Sequence, residues 1–242
     1  MYRIGVDVGS TYTKYCIMKD RDIESLSAEK TPLRQKEYFE DRIRGLRERY
    51  GDAEIISCGY GKNNVSGMKS INELTALAAG GYHMVRSDCA FLDVGGQDTK
   101  IIYQKKGRLM EFFLNDKCAA GSGMFLSSTL DMLGLRFEDI ALDDSKDITL
   151  KLSSTCAVFA QSEIVSLIAD NHPAEEIIEA VLWQIFVKAK PLVSKLEPGM
   201  IVLSGGLSRI QGIAGLAGKV TGRECRTVEN GMFLASIGCA LS

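Results

Sequence analysis

Several features that would identify common protein classes are missing from this chain. No apolar run reaches the roughly 20 residues that a membrane-spanning helix needs. The first residues, MYRIGVDVG, form a buried-strand pattern rather than a signal or transit peptide. The net charge is −2, so no strong positive field favours nucleic acid or an anionic membrane. We therefore expect a cytoplasmic protein with neither a membrane nor a nucleic acid as its partner.

The usual signatures of metal and nucleotide sites are also missing. None of the seven cysteines belongs to a CxxC pair, and the two histidines, His83 and His172, are too few and too isolated to form a metal site. In a reducing compartment a disulfide framework is not expected, so metal binding, redox chemistry and simple burial remain open for the cysteines. The chain has neither a GxxxxGK loop nor a GxGxxG loop.

An internal echo is the most informative feature that is present. Residues 7–14 read DVGSTYTK, and residues 93–100 read DVGGQDTK. Each copy follows a short apolar run, leads into another, and then reaches a polar turn. This pattern predicts a β-hairpin with an acidic, glycine-containing bend that is used twice. Two copies in one chain indicate two similar lobes.

The rest of the chain predicts helices and strands in alternation, without a low-complexity linker. The stretches AEIISCGYG and MIVLSGGLS are strand-like, and INELTALAAGGYHMV is helix-like. The apolar spacing in the stretch HPAEEIIEAVLWQIFVKAKPLVSKLEPG predicts a long helix, which Pro191 is expected to kink or split. The expected fold class is therefore α/β.

The glycine hairpins have the composition of phosphate-binding loops. Glycine allows backbone N–H groups to approach a phosphate closely, and hydroxyl side chains add further donors. Asp7 comes just before the first bend, where a carboxylate suits Mg²⁺ held through water or the orientation of a hydrolytic water. Asp93 repeats this position in the second copy. A third glycine turn, Ser204 to Leu207, would let an adenine ring lie close to the backbone.

Two such hairpins followed by a strand–GG turn resemble the actin-like ATPase superfamily, over nearly the whole chain. The resemblance implies a ribonuclease H-like fold, in which two related lobes hold ATP with Mg²⁺ in the cleft between them. Lobe I would comprise residues 1–78 and the helix at 231–242, and lobe II residues 79–230. Catalytic roles would belong to Asp7, Asp93 and Glu73, the last being the helix carboxylate that positions water. The residues expected to bind nucleotide are Gly9, Ser10, Thr11, Tyr12, Thr13, Lys14, Gly95, Gly96, Gln97, Asp98, Gly205 and Gly206.

Two cysteines narrow the resemblance further. Cys118 in NDKCAAGSGMFL and Cys156 in SSTCAVFAQSEIVS each precede a helix-like run. These stretches, with GYGKNNV and FLDVGGQDTK, resemble the ATP-dependent activators of 2-hydroxyacyl-CoA dehydratases, a family that includes the ATPase subunits of benzoyl-CoA reductase. The resemblance implies that Cys118 and Cys156 ligate one 4Fe–4S cluster bridging two identical subunits. Two thiolates per chain agree with the four that such a cluster needs. Spacing alone would also allow zinc.

The family resemblance implies a homodimeric iron–sulfur ATPase of anaerobic metabolism. Reduced ferredoxin or flavodoxin would supply an electron, and ATP binding and hydrolysis would drive its transfer at low potential to a partner dehydratase. Gln161, where family members often carry glutamate, and the unusual ending FLASIGCALS put the identity of the partner in doubt. Alternatives are the activator of a benzoyl-CoA-reductase-like or other iron–sulfur reductase, a small-molecule kinase of the same fold, and a nucleotide sensor with structural zinc.

Overall fold

The computed structural model describes residues 1–65, 69–116, 118–143, 148–197 and 199–242. Strands and helices alternate along these residues, as the sequence patterns predict. The strands are β1 (Tyr2–Val8), β2 (Tyr12–Lys19), β3 (Asp22–Lys30), β4 (Glu54–Cys58), β5 (Lys69–Ser70), β6 (Cys89–Val94), β7 (Thr99–Lys105), β8 (Arg108–Asn115), β9 (Ile201–Gly205) and β10 (Cys225–Thr227). The α-helices are α1 (Gln35–Tyr50), α2 (Glu73–Val85), α3 (Gly123–Leu133), α4 (Ala157–Ala169), α5 (Ala174–Val193), α6 (Ile213–Thr221) and α7 (Leu234–Leu241).

The described strands form two five-stranded sheets with the same internal order. The first sheet runs β3-β2-β1-β4-β5, and the second runs β8-β7-β6-β9-β10. In the first sheet β1 is antiparallel to β2 and parallel to β4. In the second, β6 is parallel to β9, which is parallel to β10. The strands on either side of each DVG bend are thus equivalent in the two sheets, and the predicted internal repeat is a repeat of the fold.

The chain divides into two compact units. Unit 1 comprises Met1–Asp88, Ile102–Glu111 and Met232–Ser242, and unit 2 comprises Cys89–Ile101 and Phe112–Gly231. The core of unit 2 is built around α5, whose side chains Ile177, Val181, Ile185 and Ala189 are completely buried. Their i, i+4 spacing places them on one face of the helix, and this face is the apolar stripe that predicted it.

Unit 1 brings α2 and α7 together by means of glycine. A Cβ atom on Gly80 in α2 would lie 1.9 Å from the carbonyl oxygen of Leu234, and one on Gly238 in α7 would lie 1.8 Å from that of Ala76. Any side chain at these positions would therefore force the two helices apart. α7 also crosses β1 at Gly5, where a Cβ atom would lie 1.8 Å from the carbonyl oxygen of Ser236. The apolar C-terminal run is thus an interior helix of unit 1.

The split that was one of two outcomes expected at Pro191 does not occur, and the expectation about Cys118 needs refinement. α5 is not split at Pro191 but continues through it to Val193. Cys118 does not directly precede an α-helix, because a single 3₁₀ turn, Ala119–Gly121, lies between it and α3. None of the helices among the described residues has both the length and the apolar character needed to cross a membrane.

Candidate functional site

The first DVG bend is a tight turn with exposed hydroxyl groups at its tip. The N–H of Gly9 donates to the carbonyl oxygen of Tyr12 at 3.2 Å, which closes the turn between β1 and β2. A Cβ atom on Gly9 would lie 2.8 Å from that same oxygen, so the position requires glycine. Ser10 and Thr11 lie exposed at the tip, and Tyr12 is 44% exposed. The turn therefore presents hydroxyl and backbone donors to solvent, as a phosphate loop must.

Thr13 stabilises this turn from inside. Its side chain is completely buried, and its hydroxyl lies 3.0 Å from that of Thr31. The hydroxyl of Thr31 donates its hydrogen to the carbonyl oxygen of Gly9 at 2.8 Å. Because a hydroxyl has one hydrogen, Thr13 must be the donor in the bond between the two threonines. Sequence reasoning missed Thr31, which follows β3 and carries no local signal of this contact.

Asp7 is a buried carboxylate with a different partner for each oxygen. Lys14 Nζ lies 3.1 Å from Oδ2, and the thiol of Cys58 lies 3.7 Å from Oδ1. The hydrogen bond between Cys58 and Cys239, the burial of the thiol and the negative charge of Asp7 all hold the pKa of Cys58 well above its usual value. The thiol therefore keeps its proton and donates a hydrogen bond to Asp7. Cys58 is a second residue that sequence reasoning missed, because it resembled an ordinary buried cysteine.

Glu73 lies in the same unit as Asp7, at the first position of α2. Asn72 caps this helix, since its side chain accepts a hydrogen bond from the N–H of Leu74 at 2.8 Å. The negative charge of Glu73 contributes to the raised pKa of Cys58. The structure thus brings Glu73 into the electrostatic environment of the thiol that donates to Asp7.

The second DVG bend has the same closure and an additional anchor. The N–H of Gly95 donates to the carbonyl oxygen of Asp98 at 2.8 Å. The carbonyl oxygens of Gly95 and Gly96 accept from the first N–H groups of α3, those of Gly123 at 2.8 Å and Met124 at 2.9 Å. In a trans peptide the C=O and the N–H point in opposite directions. The N–H groups of Gly96 and Gln97 therefore point away from α3, and two adjacent donors of this kind suit an anion.

A buried lysine neutralises the carboxylates beside this second bend. Lys100 Nζ lies 3.1 Å from Oδ2 of Asp98 and 3.4 Å from Oδ2 of Asp93. Lys14 and Lys100 occupy the same position in the two copies of the repeat, and each pairs with the aspartate that precedes its own bend. Both predicted catalytic aspartates are therefore held by a lysine of the following strand.

The third glycine turn lies directly beside the second bend. Asp93 and Val94 of β6 are paired in register with Ser204 and Gly205 of β9. The hydroxyl of Ser204 donates to Oδ1 of Asp93 at 2.8 Å. Gly205 has a φ of +78°, and a Cβ atom there would lie 2.4 Å from the carbonyl oxygen of Val94. Unit 2 therefore joins the second bend, Asp93 and the Gly205–Gly206 turn into one edge, and Ser204 joins them as a residue that the sequence analysis had not assigned.

Cys118 and Cys156 occupy equivalent positions before helical turns. Cys118 caps the 3₁₀ turn Ala119–Gly121 and is half-buried, whereas Cys156 caps α4 and is exposed. Both thiols are free. Gln161 of α4 donates to the hydroxyl of Ser128 of α3 at 3.4 Å, which joins the two helices that follow the cysteines. Each cysteine therefore occupies the N-cap position of the helical turn that follows it, a 3₁₀ turn for Cys118 and α4 for Cys156.

The strand-like segment before Cys156 is fixed by two side chains from neighbouring helices. The carboxylate of Glu163 accepts from the N–H of Ser153 at 2.7 Å and of Ser154 at 3.0 Å. Although partial burial opposes its charge, these backbone donors hold the pKa of Glu163 below its usual value. Gln184 of α5 donates to the carbonyl oxygen of Ser154 at 3.5 Å. The sequence offered no signal for these contacts, which orient the chain as it enters Cys156.

The donor set of a single chain accommodates only part of a thiolate metal centre. Among the described residues no three His, Cys, Asp or Glu side chains are grouped so that they could hold a metal. The free thiols of Cys118 and Cys156 are half of the four that a cubane cluster needs. A cluster shared by two copies of the chain would take both thiols from each copy.

Comparison with known proteins identifies the family. The profile of the BadF/BadG/BcrA/BcrD ATPase family matches residues 4–230. The chain belongs to this family. The expected resemblance to dehydratase activators and benzoyl-CoA reductase subunits is thereby confirmed.

Two named relatives are similar to this chain from end to end. The activator of lactoyl-CoA dehydratase from Anaerotignum propionicum is 33% identical over an alignment of 254 residues. This alignment covers 100% of this chain and 96% of that protein. The (R)-2-hydroxyglutaryl-CoA dehydratase activating ATPase from Acidaminococcus fermentans is 31% identical over 254 residues, with the same two coverages, 100% and 96%.

Solved structures confirm the actin-like ATPase fold of this BadF-family chain. The activator of 2-hydroxyisocaproyl-CoA dehydratase from Clostridium difficile, with bound ADPNP, superimposes with a TM-score of 0.87 at 28% identity, over 100% of this chain and 93% of that one. A ROK family glucokinase from Streptomyces griseus gives a TM-score of 0.59 at 14% identity, over 99% and 98% of the two chains. The second likeness concerns the fold alone.

Proposed function

We propose that this chain is an ATP-hydrolysing iron–sulfur protein that transfers one low-potential electron to a 2-hydroxyacyl-CoA dehydratase-type enzyme. The observation that carries the proposal is the presence of two free thiols, Cys118 before a 3₁₀ turn and Cys156 before α4, in a chain with full-length similarity to dehydratase activators. A phosphotransferase of the same fold has no need of this pair.

The nucleotide part of the proposal depends on the two DVG bends. Their outward N–H and hydroxyl groups bind the phosphates of ATP, and the Gly205–Gly206 turn accommodates the adenosine. Asp7 and Asp93 hold Mg²⁺ through water or orient the attacking water, and Glu73 assists as a base or positioning group. The lysine that pairs with each aspartate fixes the position of the carboxylate, as either role requires.

The electron-transfer part depends on Cys118 and Cys156. Two chains related by a two-fold axis supply the four thiolates of one 4Fe–4S cluster, which provides one-electron chemistry at low potential. Cys156 lies at the N-terminus of α4, where the helix dipole favours an anionic centre. Glu163 and Gln184 hold the segment that leads to Cys156, and so limit the movement of that ligand.

The partners follow from this role. A reduced ferredoxin or flavodoxin loads the centre, and the chain then docks on the dehydratase without contacting the acyl-CoA. Differential binding of ATP and ADP to two conformations can shift their populations enough to gate the transfer.

Anaerobic purification of the homodimer tests the proposal. We expect a brown protein with about four iron atoms per pair of chains, little zinc and a broad visible band that dithionite bleaches. Cys118→Ser should abolish the colour and leave ATP binding largely intact. Cys225→Ser is a matched control, because Cys225 is also half-buried and packs on the same core, yet it is expected to keep the colour.

Other outcomes would assign the chain elsewhere. A colourless protein that phosphorylates a small hydroxyl compound would identify a kinase, and an air-stable zinc protein without ATPase activity would identify a sensor. A brown ATPase that reduces a benzoyl-CoA-reductase-type enzyme but no dehydratase would retain the mechanism and change the partner. Cys118→Ser protein that stays brown would contradict the assignment of this residue as a ligand.

A further inference from the structure

The internal repeat places a buried threonine at the same position after each bend. Thr13 and Thr99 are each the seventh residue of their eight-residue copies, DVGSTYTK and DVGGQDTK. Both side chains are completely buried. Since local sequence and burial are the same, any difference between the two hydroxyl groups comes from what each one contacts.

The two hydroxyl groups have different kinds of partner. That of Thr13 bonds to Thr31, which returns to the carbonyl oxygen of Gly9 in the same bend. That of Thr99 donates to the carbonyl oxygen of Gly121, 22 residues away in the turn that follows Cys118. The first threonine therefore closes its own loop, whereas the second connects its loop to the turn of a predicted metal ligand.

Further bonds make this connection continuous. The N–H of Gly121 donates to the carbonyl oxygen of Cys118 at 3.0 Å. The carbonyl oxygens of Gly95 and Gly96 accept from Gly123 and Met124, just beyond the same turn. The second bend is thus hydrogen-bonded to the segment after Cys118 at two places, through the side chain of Thr99 and through its own backbone.

The turn after Cys118 has little room to move independently. A Cβ atom on Gly121 would lie 2.8 Å from Nδ2 of Asn115 and 3.0 Å from Cβ of Lys188. β8 and α5 therefore enclose Gly121 on the side where a side chain would project. In close-packed surroundings of this kind, a displacement at one bonded group is passed to the next rather than absorbed.

We propose that Thr99 is a positioning residue that couples the second phosphate loop to the Cys118 turn through its hydrogen bond to Gly121. This inference rests on the proposed function, because it assumes that a phosphate binds at the N–H groups of Gly96 and Gln97. A phosphate bound to these N–H groups would displace the peptides that follow Gly95 and Gly96. The carbonyl groups of the same peptides accept hydrogen bonds from the first residues of α3. Thr99 makes the Cys118 turn follow the same movement.

Hydrogen–deuterium exchange of the full-length anaerobic protein tests the coupling, with ADP and a non-hydrolysable ATP analogue as probes. Two peptide regions are followed, residues 93–100 of the loop and residues 118–124 of the turn. In the wild type we expect saturating nucleotide to slow exchange in both. Thr99→Val should keep the change at 93–100 and lose the change at 118–124, whereas Thr99→Ser, which restores the hydroxyl, should recover it.

The repeat supplies the matched control. Thr13→Val removes the equivalent buried hydroxyl from the other bend, and at saturating nucleotide it should leave the response at 118–124 intact. Gly121→Ala is a second route to the same result, since its added methyl group would meet Asn115 and Lys188 and displace the carbonyl group that accepts from Thr99. It replaces Thr99→Val as the deciding variant if that protein fails to fold.

The outcomes separate the inference from the function on which it rests. If wild-type exchange at 93–100 does not respond to nucleotide, the proposed ATP site is wrong and the coupling falls with it. If 93–100 responds but 118–124 does not, or if Thr99→Val and Gly121→Ala respond as the wild type does, the coupling alone is refuted. Loss of the response in Thr13→Val as well would show a general loosening and would also refute a specific role for Thr99.

Discussion

Replacing Lys100 by methionine tests the electrostatic design of the second bend. The Lys100 side chain is 4% exposed. Its Nζ atom lies 3.1 Å from Oδ2 of Asp98 and 3.4 Å from Oδ2 of Asp93. Methionine keeps most of the volume of the side chain and removes the charge. Two carboxylates would then share a largely buried site without this cation, so they must either repel each other or take up a proton.

The expected loss of stability is large for a single substitution. Breaking a buried ion pair by removing one partner costs about 3–5 kcal/mol, because an uncompensated charge remains buried. For a chain of this size each kcal/mol lowers the melting temperature by about 2–4 °C, so the midpoint should fall by roughly 6–20 °C. Thermal unfolding followed by circular dichroism at neutral pH measures this shift.

Two other lysines provide a scale for the measurement. Lys14 holds the equivalent place beside Asp7 but is 19% exposed, so Lys14→Met should cost less, about 1.5–3 kcal/mol. Lys105 lies exposed at the end of the same strand as Lys100, and Lys105→Met should change stability by no more than about 0.5 kcal/mol. A Lys100→Met midpoint that matches that of Lys105→Met would refute the reasoning, since the aspartates would then need no cation.

Two further substitutions test contacts that hold predicted site residues. Cys58→Ala removes the hydrogen-bond donor to Asp7, so kcat for ATP hydrolysis should fall about two- to tenfold. Cys58→Ser keeps a donor and should be less affected. Equal rates of the two variants in steady-state assays would argue against a role for this hydrogen bond. Glu163→Gln should cost about 1 kcal/mol in urea unfolding at neutral pH, because its charge no longer accepts from Ser153 and Ser154. Since folding lowers the pKa of Glu163, its stabilisation is present above the unfolded pKa of about 4.3 and is lost as the pH falls through the folded value; a difference from wild type that persists in strong acid would contradict this.

The hairpins and their bends could be predicted because their signals are local. A glycine two residues after an aspartate, between two apolar runs of alternating type, specifies both the turn and the strands beside it. Gly9 and Gly95 each close their turn on the residue three positions later, so each turn is encoded within four residues. The common order of the two sheets then follows from repeating the same unit.

The contacts that shape the bends could not be predicted, since they come from distant parts of the chain. Thr31 lies 18 residues from Thr13, and Gly121 lies 22 residues from Thr99. Ser204 contacts Asp93 across 111 residues, and only the parallel register of β6 and β9 brings them together. A serine or threonine in such a place looks no different in sequence from one that faces solvent.

The error at Pro191 has a different origin, because there the local rule was outweighed by packing. Proline removes one N–H bond and crowds the preceding turn, which predicts a break. Pro191 lies only two residues from the end of α5, so the bond it removes is in the last turn. Leu192 is 7% exposed and Val193 1%, so both residues after the proline are buried in the core of unit 2. Their burial favours continuing the helix to its end.

The difference between the two repeats explains how one scaffold can serve two purposes. In each copy the residue after the bend must be buried, and a buried hydroxyl must find an acceptor. After β2 the chain turns back into β3, which ends just before Thr31. The hydroxyl of Thr13 therefore forms its hydrogen bond with Thr31, beside its own hairpin. After β7 and β8 the chain delivers the turn that follows Cys118, so the hydroxyl of Thr99 is used there instead. The eight-residue motif therefore fixes that a bond will form, and the segment that follows each hairpin determines what the bond connects.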